Sequence, residues 1–239
     1  MSVKLFVPCY IELFSPELAA TVGSLLDRLE VPWEYPPDQT CCGQFAFTVG
    51  DLATARRLMR HFLNVFSGAE AVICPSASCT LMVRHHYLTL AEGLKERRRA
   101  EALAGRLWEL SEWLAARGPL PWRPVFAGTL ILHRSCKARQ LGALPNAARV
   151  LAQVEGLTLR EVSPYYPCCG FGGTFSLQHP DLAGLIGEAY LEAALATGAQ
   201  GLVSLDPGCL LHLRSVAAAS NLSLSFYHLA EVIQSGSIT

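Results

Sequence analysis

At 239 residues, with 51% hydrophobic and only 16% charged side chains, the chain has the apolar surface to fill one large core or two small ones, which excludes a disordered polypeptide. A formal net charge of −1 excludes electrostatic attraction to nucleic acid, and the one basic run, Arg97-Arg98-Arg99, sits between Glu96 and Glu101 as a solvated helix face. No run of about 18 apolar residues predicts a membrane span.

The first element in chain order is a β-type run, Val3-Lys4-Leu5-Phe6-Val7, broken at Pro8 and followed by Cys9. No signal-peptide pattern precedes it, so the cytoplasm is the expected location. Residues 16–30 read as a helix, because Leu18, Val22, Leu25, Leu26 and Leu29 recur at helical spacing. A short strand over 31–35 runs into prolines and then into Cys41-Cys42-Gly43. Residues 51–66 predict a second helix with Asp51 as N-cap, and Gly68 stands where a left-handed cap favours glycine. A strand over 71–74 leads through Pro75 to Cys79, which opens a further helix carrying His85 and His86. Trp108 and Trp113 mark a core or partner-facing region.

The same order then repeats. A β-type run, 129–132, ends near Cys136; a helix over 146–155 and a strand over 157–162 lead to Cys168-Cys169-Gly170. Residues 181–197 predict a helix with Asp181 as N-cap and Gly198 past its end. A strand over 201–205 leads to Cys209, and Leu229-Ala230-Glu231-Val232-Ile233 echoes Leu110-Ser111-Glu112-Trp113-Leu114. Gly118 to Gly128, with three prolines, reads as the connection. The expected organisation is a first cysteine-rich domain over 1–118, a linker over 119–127 and a second cysteine-rich domain over 128–239. Strand–helix alternation implies an α/β fold: two pseudo-repeated Rossmann-like domains, each a parallel sheet covered by helices.

Eight of the nine cysteines follow the repeat. Thirty-one residues separate Cys9 from Cys41 (10–40), and 31 again separate Cys136 from Cys168 (137–167). Every patterned cysteine follows a strand. A parallel sheet with right-handed crossovers gathers such positions at one edge, which predicts two sites: Cys9, Cys41, Cys42 and Cys79, and Cys136, Cys168, Cys169 and Cys209. Adjacent side chains point apart in an extended strand, so Cys-Cys can face one site only if the chain turns, and the following glycine supplies that turn. Four thiols per site fit an iron–sulfur cluster or zinc, and adjacent cysteines also fit thiol–disulfide exchange. A zinc-stabilised assembly module and a thiol–disulfide reductase therefore stand beside an electron carrier. Cys74 falls outside the pattern and reads as a core strand residue. His133 and His212 lie near the cysteines as candidate hydrogen-bonding neighbours, and Lys137 and Arg139 as charges that offset thiolate. His61, His179 and His228 read as cap or surface residues. Gly172-Gly173-Thr174 lacks the remainder of a phosphate loop, and neither NAD nor flavin is expected.

The repeated Cys…Cys-Cys-Gly…Cys pattern resembles the CCG cysteine-rich domain found in heterodisulfide reductase and in the iron–sulfur subunits of glycolate and glycerol-3-phosphate dehydrogenases. Two such domains in a short chain, with Pro75-Ser76-Ala77-Ser78-Cys79 and then Met82-Val83-Arg84-His85-His86-Tyr87, resemble the lactate utilization protein A family. That resemblance implies a four-iron, four-sulfur cluster in each domain, lost on aerobic handling, with the eight patterned cysteines as ligands. It also implies a role in L-lactate oxidation to pyruvate beside partner subunits, a ferredoxin-type iron–sulfur protein and one further component. The chain departs from heterodisulfide reductase in having no C-x₂-C after the double cysteine: Cys74 and Cys79 have four residues between them, and Ser204 stands at the position matching Cys74. This favours electron relay over disulfide cleavage.

Overall fold

The computed structural model describes residues 3–235. The chain divides between Trp113 and Leu114 into two compact units. In the first, β1 (Val3–Leu5), α1 (Cys9–Phe14), α2 (Pro16–Arg28), β2 (Trp33–Glu34), α3 (Gln44–Thr48), α4 (Leu52–Val65) and β3 (Ala71–Cys74) follow in order. Next come α5 (Ala77–Leu81), a π-helical turn (Met82–His86), α6 (Tyr87–Leu90), α7 (Gly93–Ala104), β4 (Leu107–Glu109) and α8 (Leu110–Arg117), the last crossing the division. The four strands form a parallel sheet in the order β2-β1-β3-β4, with Val3 opposite Trp33, Leu5 opposite Ile73 and Cys74 opposite Glu109.

The second unit repeats the plan. Its elements are β5 (Val125–Leu132), α9 (Cys136–Leu141), α10 (Leu144–Leu151), β6 (Glu155–Arg160), α11 (Phe175–Gln178), α12 (Pro180–Leu195), β7 (Gly201–Ser204), α13 (Pro207–Ala219), β8 (Ser225–His228) and α14 (Leu229–Gln234). The sheet order is β6-β5-β7-β8, again parallel, with Leu132 opposite Val203. Both units are thus the parallel α/β sheets that the alternating pattern predicts.

Two of the central strands are buried along their whole length, β3 as Ala-Val-Ile-Cys and β7 as Gly-Leu-Val-Ser. Covering helices on both faces require that. In the first unit Phe6, Phe62 and Phe66 pack edge-on and tilted against one another, with Phe6 and Phe62 centroids 4.7 Å apart. Burial of each ring stabilises the fold by roughly 1.5–3 kcal/mol. In both sheets the chain order reverses about the first strand, so the crevice beyond β1 and β3, and beyond β5 and β7, is a topological switch point where ligands bind in such folds.

Several elements differ from expectation. β2 keeps two residues of the five predicted, because Pro32 and Pro36 flank it and lack the N–H that a ladder needs. Each sheet has a fourth strand, β4 and β8, that hydrophobic alternation did not reveal. Cys9 and Cys136 open six-residue helices, α1 and α9, too short to display a helical period. Asp51 is the N-cap of α4, its carboxylate accepting from Thr54 N–H at 3.0 Å. Asp181 is not a cap: α12 starts at Pro180 with His179 as N-cap, because proline at the first helical position sets the start ahead of the aspartate. In the 118–128 stretch Trp122 is buried, and its indole N–H donates to the Ile233 carbonyl at 2.9 Å.

Candidate metal centres

In the first unit the chain leaves β1 and passes three residues before Cys9 at the start of α1. Gln39 anchors the returning segment. Its Oε1 accepts from Val7 N–H at 2.7 Å and its Nε2 donates to the Leu5 carbonyl at 3.2 Å. The anchored loop delivers Cys41 and Cys42 to the switch point. Gly43 adopts φ +86° and turns its N–H back onto Cys41 Sγ at 3.3 Å. That left-handed turn lets both adjacent thiols serve one site. Cys41 Sγ meets Cys9 Sγ at 3.8 Å, and Cys42 Sγ meets Cys79 Sγ at 3.4 Å. Cys79 lies in the first turn of α5, where Ser76 Oγ accepts its N–H at 3.4 Å. Tyr87 donates to the Cys42 carbonyl at 2.9 Å. Cys74 is fully buried at the end of β3 and interacts with the Cys79 side chain.

The second unit builds the same arrangement with different supports. Cys136 opens α9 under a Ser135 cap, whose Oγ accepts from Ala138 N–H at 3.0 Å and hydrogen-bonds Asp206, the N-cap residue of the Cys209 helix. Gly170 repeats the turn at φ +88°, donating to Cys168 Sγ at 3.4 Å. A Cβ at Gly170 would lie 2.4 Å from the Ala183 carbonyl oxygen, so only glycine fits. Cys136 with Cys168, Cys168 with Cys169, and Cys169 with Cys209 interact in turn through their side chains. Arg139 donates to the Pro167 carbonyl at 2.8 Å and so holds the backbone just ahead of Cys168.

All eight patterned cysteines therefore gather, four in each unit. The histidines separate into distinct places. A ring nitrogen of His133 and the Sγ atoms of Cys169 and Cys209 all lie within 4.8 Å of one another. His133 is buried, its Nδ1 is 2.8 Å from the Tyr190 hydroxyl, and burial holds its pKa down at about 4. His212 Nε2 turns to the Ala183 carbonyl at 3.2 Å. His85 is exposed, His86 packs on Phe47 with centroids 4.6 Å apart, and His61 contacts the Asp38 carbonyl. His228 caps α14. Gln39, Tyr87, Tyr190 and Asp206 were not among the sequence candidates. Their partners are distant in the chain, so no local spacing signals them.

The thiols polarise one another. Hydrogen bonds from Cys42 and Cys9, then from the Gly43 and Gln44 amides, hold the Cys41 pKa down at about 3. Cys136 and Cys169, with the Gly170 amide, likewise hold Cys168 down at about 2. Cys9, Cys42, Cys136 and Cys169 are pushed up, first by donating to those sulfurs and then by burial. Cys79 is lowered by bonds from Cys42 and Cys74. At Cys209 the bond from Cys169 is outweighed by burial and the Asp206 charge, which leave it raised. Each array thus presents thiolate flanked by thiols, and a metal that binds there displaces protons.

Relatives are consistent with this architecture. The CCG cysteine-rich domain family matches twice, over residues 3–84 and 130–214. Lactate utilization protein A 2 of Bacillus cereus strain Q1 is 32% identical over 239 residues, covering 99% of both chains. Lactate utilization protein A of Bacillus thuringiensis strain Al Hakam is 31% identical over 245 residues, covering 99% of this chain and all of that one. Among solved structures, a hypothetical protein from Helicobacter pylori superposes with a TM-score of 0.68 at 11% identity. That likeness covers 97% of this chain and 48% of the other, and it concerns the fold alone. The chain belongs to the lactate utilization protein A family and carries two CCG cysteine-rich domains.

Proposed function

We propose that each unit holds an iron–sulfur centre, through Cys9, Cys41, Cys42 and Cys79 in the first and Cys136, Cys168, Cys169 and Cys209 in the second. We further propose that the chain relays electrons in the oxidation of L-lactate to pyruvate by a multi-protein system. The observation that carries this reading is the paired run of four thiols, each at a switch point and each with a glycine amide aimed at sulfur. Tetrahedral zinc with Zn–S bonds of about 2.3 Å needs its sulfurs mutually about 3.8 Å apart. Among the described residues no three thiols lie within even 4.8 Å of one another, whereas in the first run Cys9 meets Cys41 and Cys42 meets Cys79. A run of this kind fits a polynuclear centre better than a single ion. When bound, such a centre takes up and gives back single electrons.

The chain's own groups set the conditions. Cys42, Cys79, Cys169 and Cys209 are buried, which limits solvent at the sulfurs, and the Gly43 and Gly170 amides stabilise charge there. Neither array includes a group placed to accept hydride from a 2-hydroxy acid, so that chemistry falls to a partner, with a ferredoxin-type iron–sulfur subunit as a further component. The proposed location of the relay is the cytoplasm. Among the described residues no helix is long and apolar enough to cross a membrane. Anaerobic purification should yield brown protein with iron and sulfide in equal amounts and an EPR signal after dithionite reduction. Stoichiometric zinc without iron would refute the reading.

A further inference from the structure

We infer that the second centre has a nitrogen ligand, His133 Nε2, beside its cysteines, whereas the first centre is bound by sulfur alone. The inference rests on the reading of the patterned cysteines as metal ligands and adds one donor to it.

His133 precedes Cys136 by three residues, just as Phe6 precedes Cys9. Phe6 is wholly buried in the aromatic cluster of the first unit. At the same place in the second unit the chain puts an imidazole, 1% exposed, whose two nitrogens need partners. Nδ1 has one, the Tyr190 hydroxyl at 2.8 Å, with the rings edge-on at 87°. Nε2 has none among the described residues. A carbon ring would have filled the space without leaving a buried polar atom unpaired.

The position of the ring supplies the reason. A ring nitrogen of His133, Cys169 Sγ and Cys209 Sγ form, among the described residues, the one group of three such donors all within 4.8 Å of one another. Donors this close to one another can bind one centre, with metal–nitrogen bonds of about 2.0–2.1 Å and metal–sulfur bonds of about 2.3 Å. A ligating histidine almost always hydrogen-bonds through its other nitrogen, which fixes tautomer and ring plane. In the inferred tautomer Nδ1–H donates to the Tyr190 oxygen, which leaves the Nε2 lone pair for the metal. In the first unit Phe6 offers no donor, and the additional buried group beside Cys79 is the Cys74 thiol. A neutral imidazole beside the cysteines adds a donor without adding negative charge, whereas a thiolate at the same place would add one and lower the reduction potential.

Pulsed EPR on the reduced full chain, grown with ¹⁵N-histidine, tests this without any substitution. A directly bonded nitrogen coupling is expected on one of the two centres. It should vanish in His133→Phe, a ring the equivalent site of the first unit already accommodates, while the other centre's signal persists. His133→Cys should keep the iron and lower the potential of one centre only. A wild-type spectrum without directly bonded nitrogen, or a coupling that survives in His133→Phe, would overturn the inference. If the protein holds zinc instead of iron, EPR is silent and the iron–sulfur reading fails. X-ray absorption at the zinc edge then still counts nitrogen against sulfur neighbours in wild type and His133→Phe, so the two failures are separable.

Discussion

Gly43 and Gly170 occupy equivalent turns at nearly the same positive φ, yet their surroundings differ. A Cβ at Gly43 would meet Leu58 Cβ at 3.3 Å, a tight approach that asks the neighbour to give only slightly. At Gly170 it would meet backbone, the Ala183 carbonyl at 2.4 Å, in a helix that cannot withdraw without losing packing. Alanine in a left-handed turn costs about 1–2 kcal/mol by strain alone. Gly43→Ala should therefore destabilise by about that amount, and Gly170→Ala by roughly 2–4 kcal/mol once the clash adds to it. Urea denaturation of the metal-free variants measures both. Equal losses would show that steric closeness at Gly170 is unimportant. The need for a glycine after each cysteine pair was legible in the sequence; which of the two tolerates a methyl group was not.

Among the elements, the longer helices announced themselves and the shorter ones did not. α2 and α4 bury faces recurring over three or more turns, with Leu18, Val22, Leu25 and Leu26 inward on α2. α1 and α9 complete fewer than two turns, so periodicity had nothing to act on. Their consequence is chemical. Cys9 and Cys136 open helices, and Cys79 and Cys209 lie in first turns, so helix starts fix where these thiols stand while their thiol neighbours and burial set their acidity. The two aspartates read as caps make a direct comparison. Asp51 caps α4 through Thr54, whereas Asp181 stands in the first turn of α12 behind Pro180 without a capping bond. Asp51→Ala should lower the thermal midpoint, and Asp181→Ala should lower it less. Reversal of that order would contradict the assignment of caps.

At the scale of the molecule, each unit has its own core and its own thiol array, with cysteines from one unit only in each. Cys42→Ser and Cys169→Ser should then each remove one centre and leave the other. Iron should fall to about half in either variant and to none in the double variant, and the two single-variant EPR spectra should sum to that of wild type. Loss of all iron from one substitution would mean that the arrays depend on each other. The sequence alone determined the duplication, the parallel α/β class and the partition of eight cysteines into two sets of four. These follow from spacing and from the 2.0 and 3.6 residue periods, which the chain carries locally. Only the tertiary structure decided which of the seven histidines reaches thiols, that Gln39 pins the first loop, and that Cys74 lies beside Cys79. Those facts depend on pairs such as His133 and Tyr190, 57 positions apart, whose meeting is set by how helices pack on a sheet rather than by any pattern along the chain.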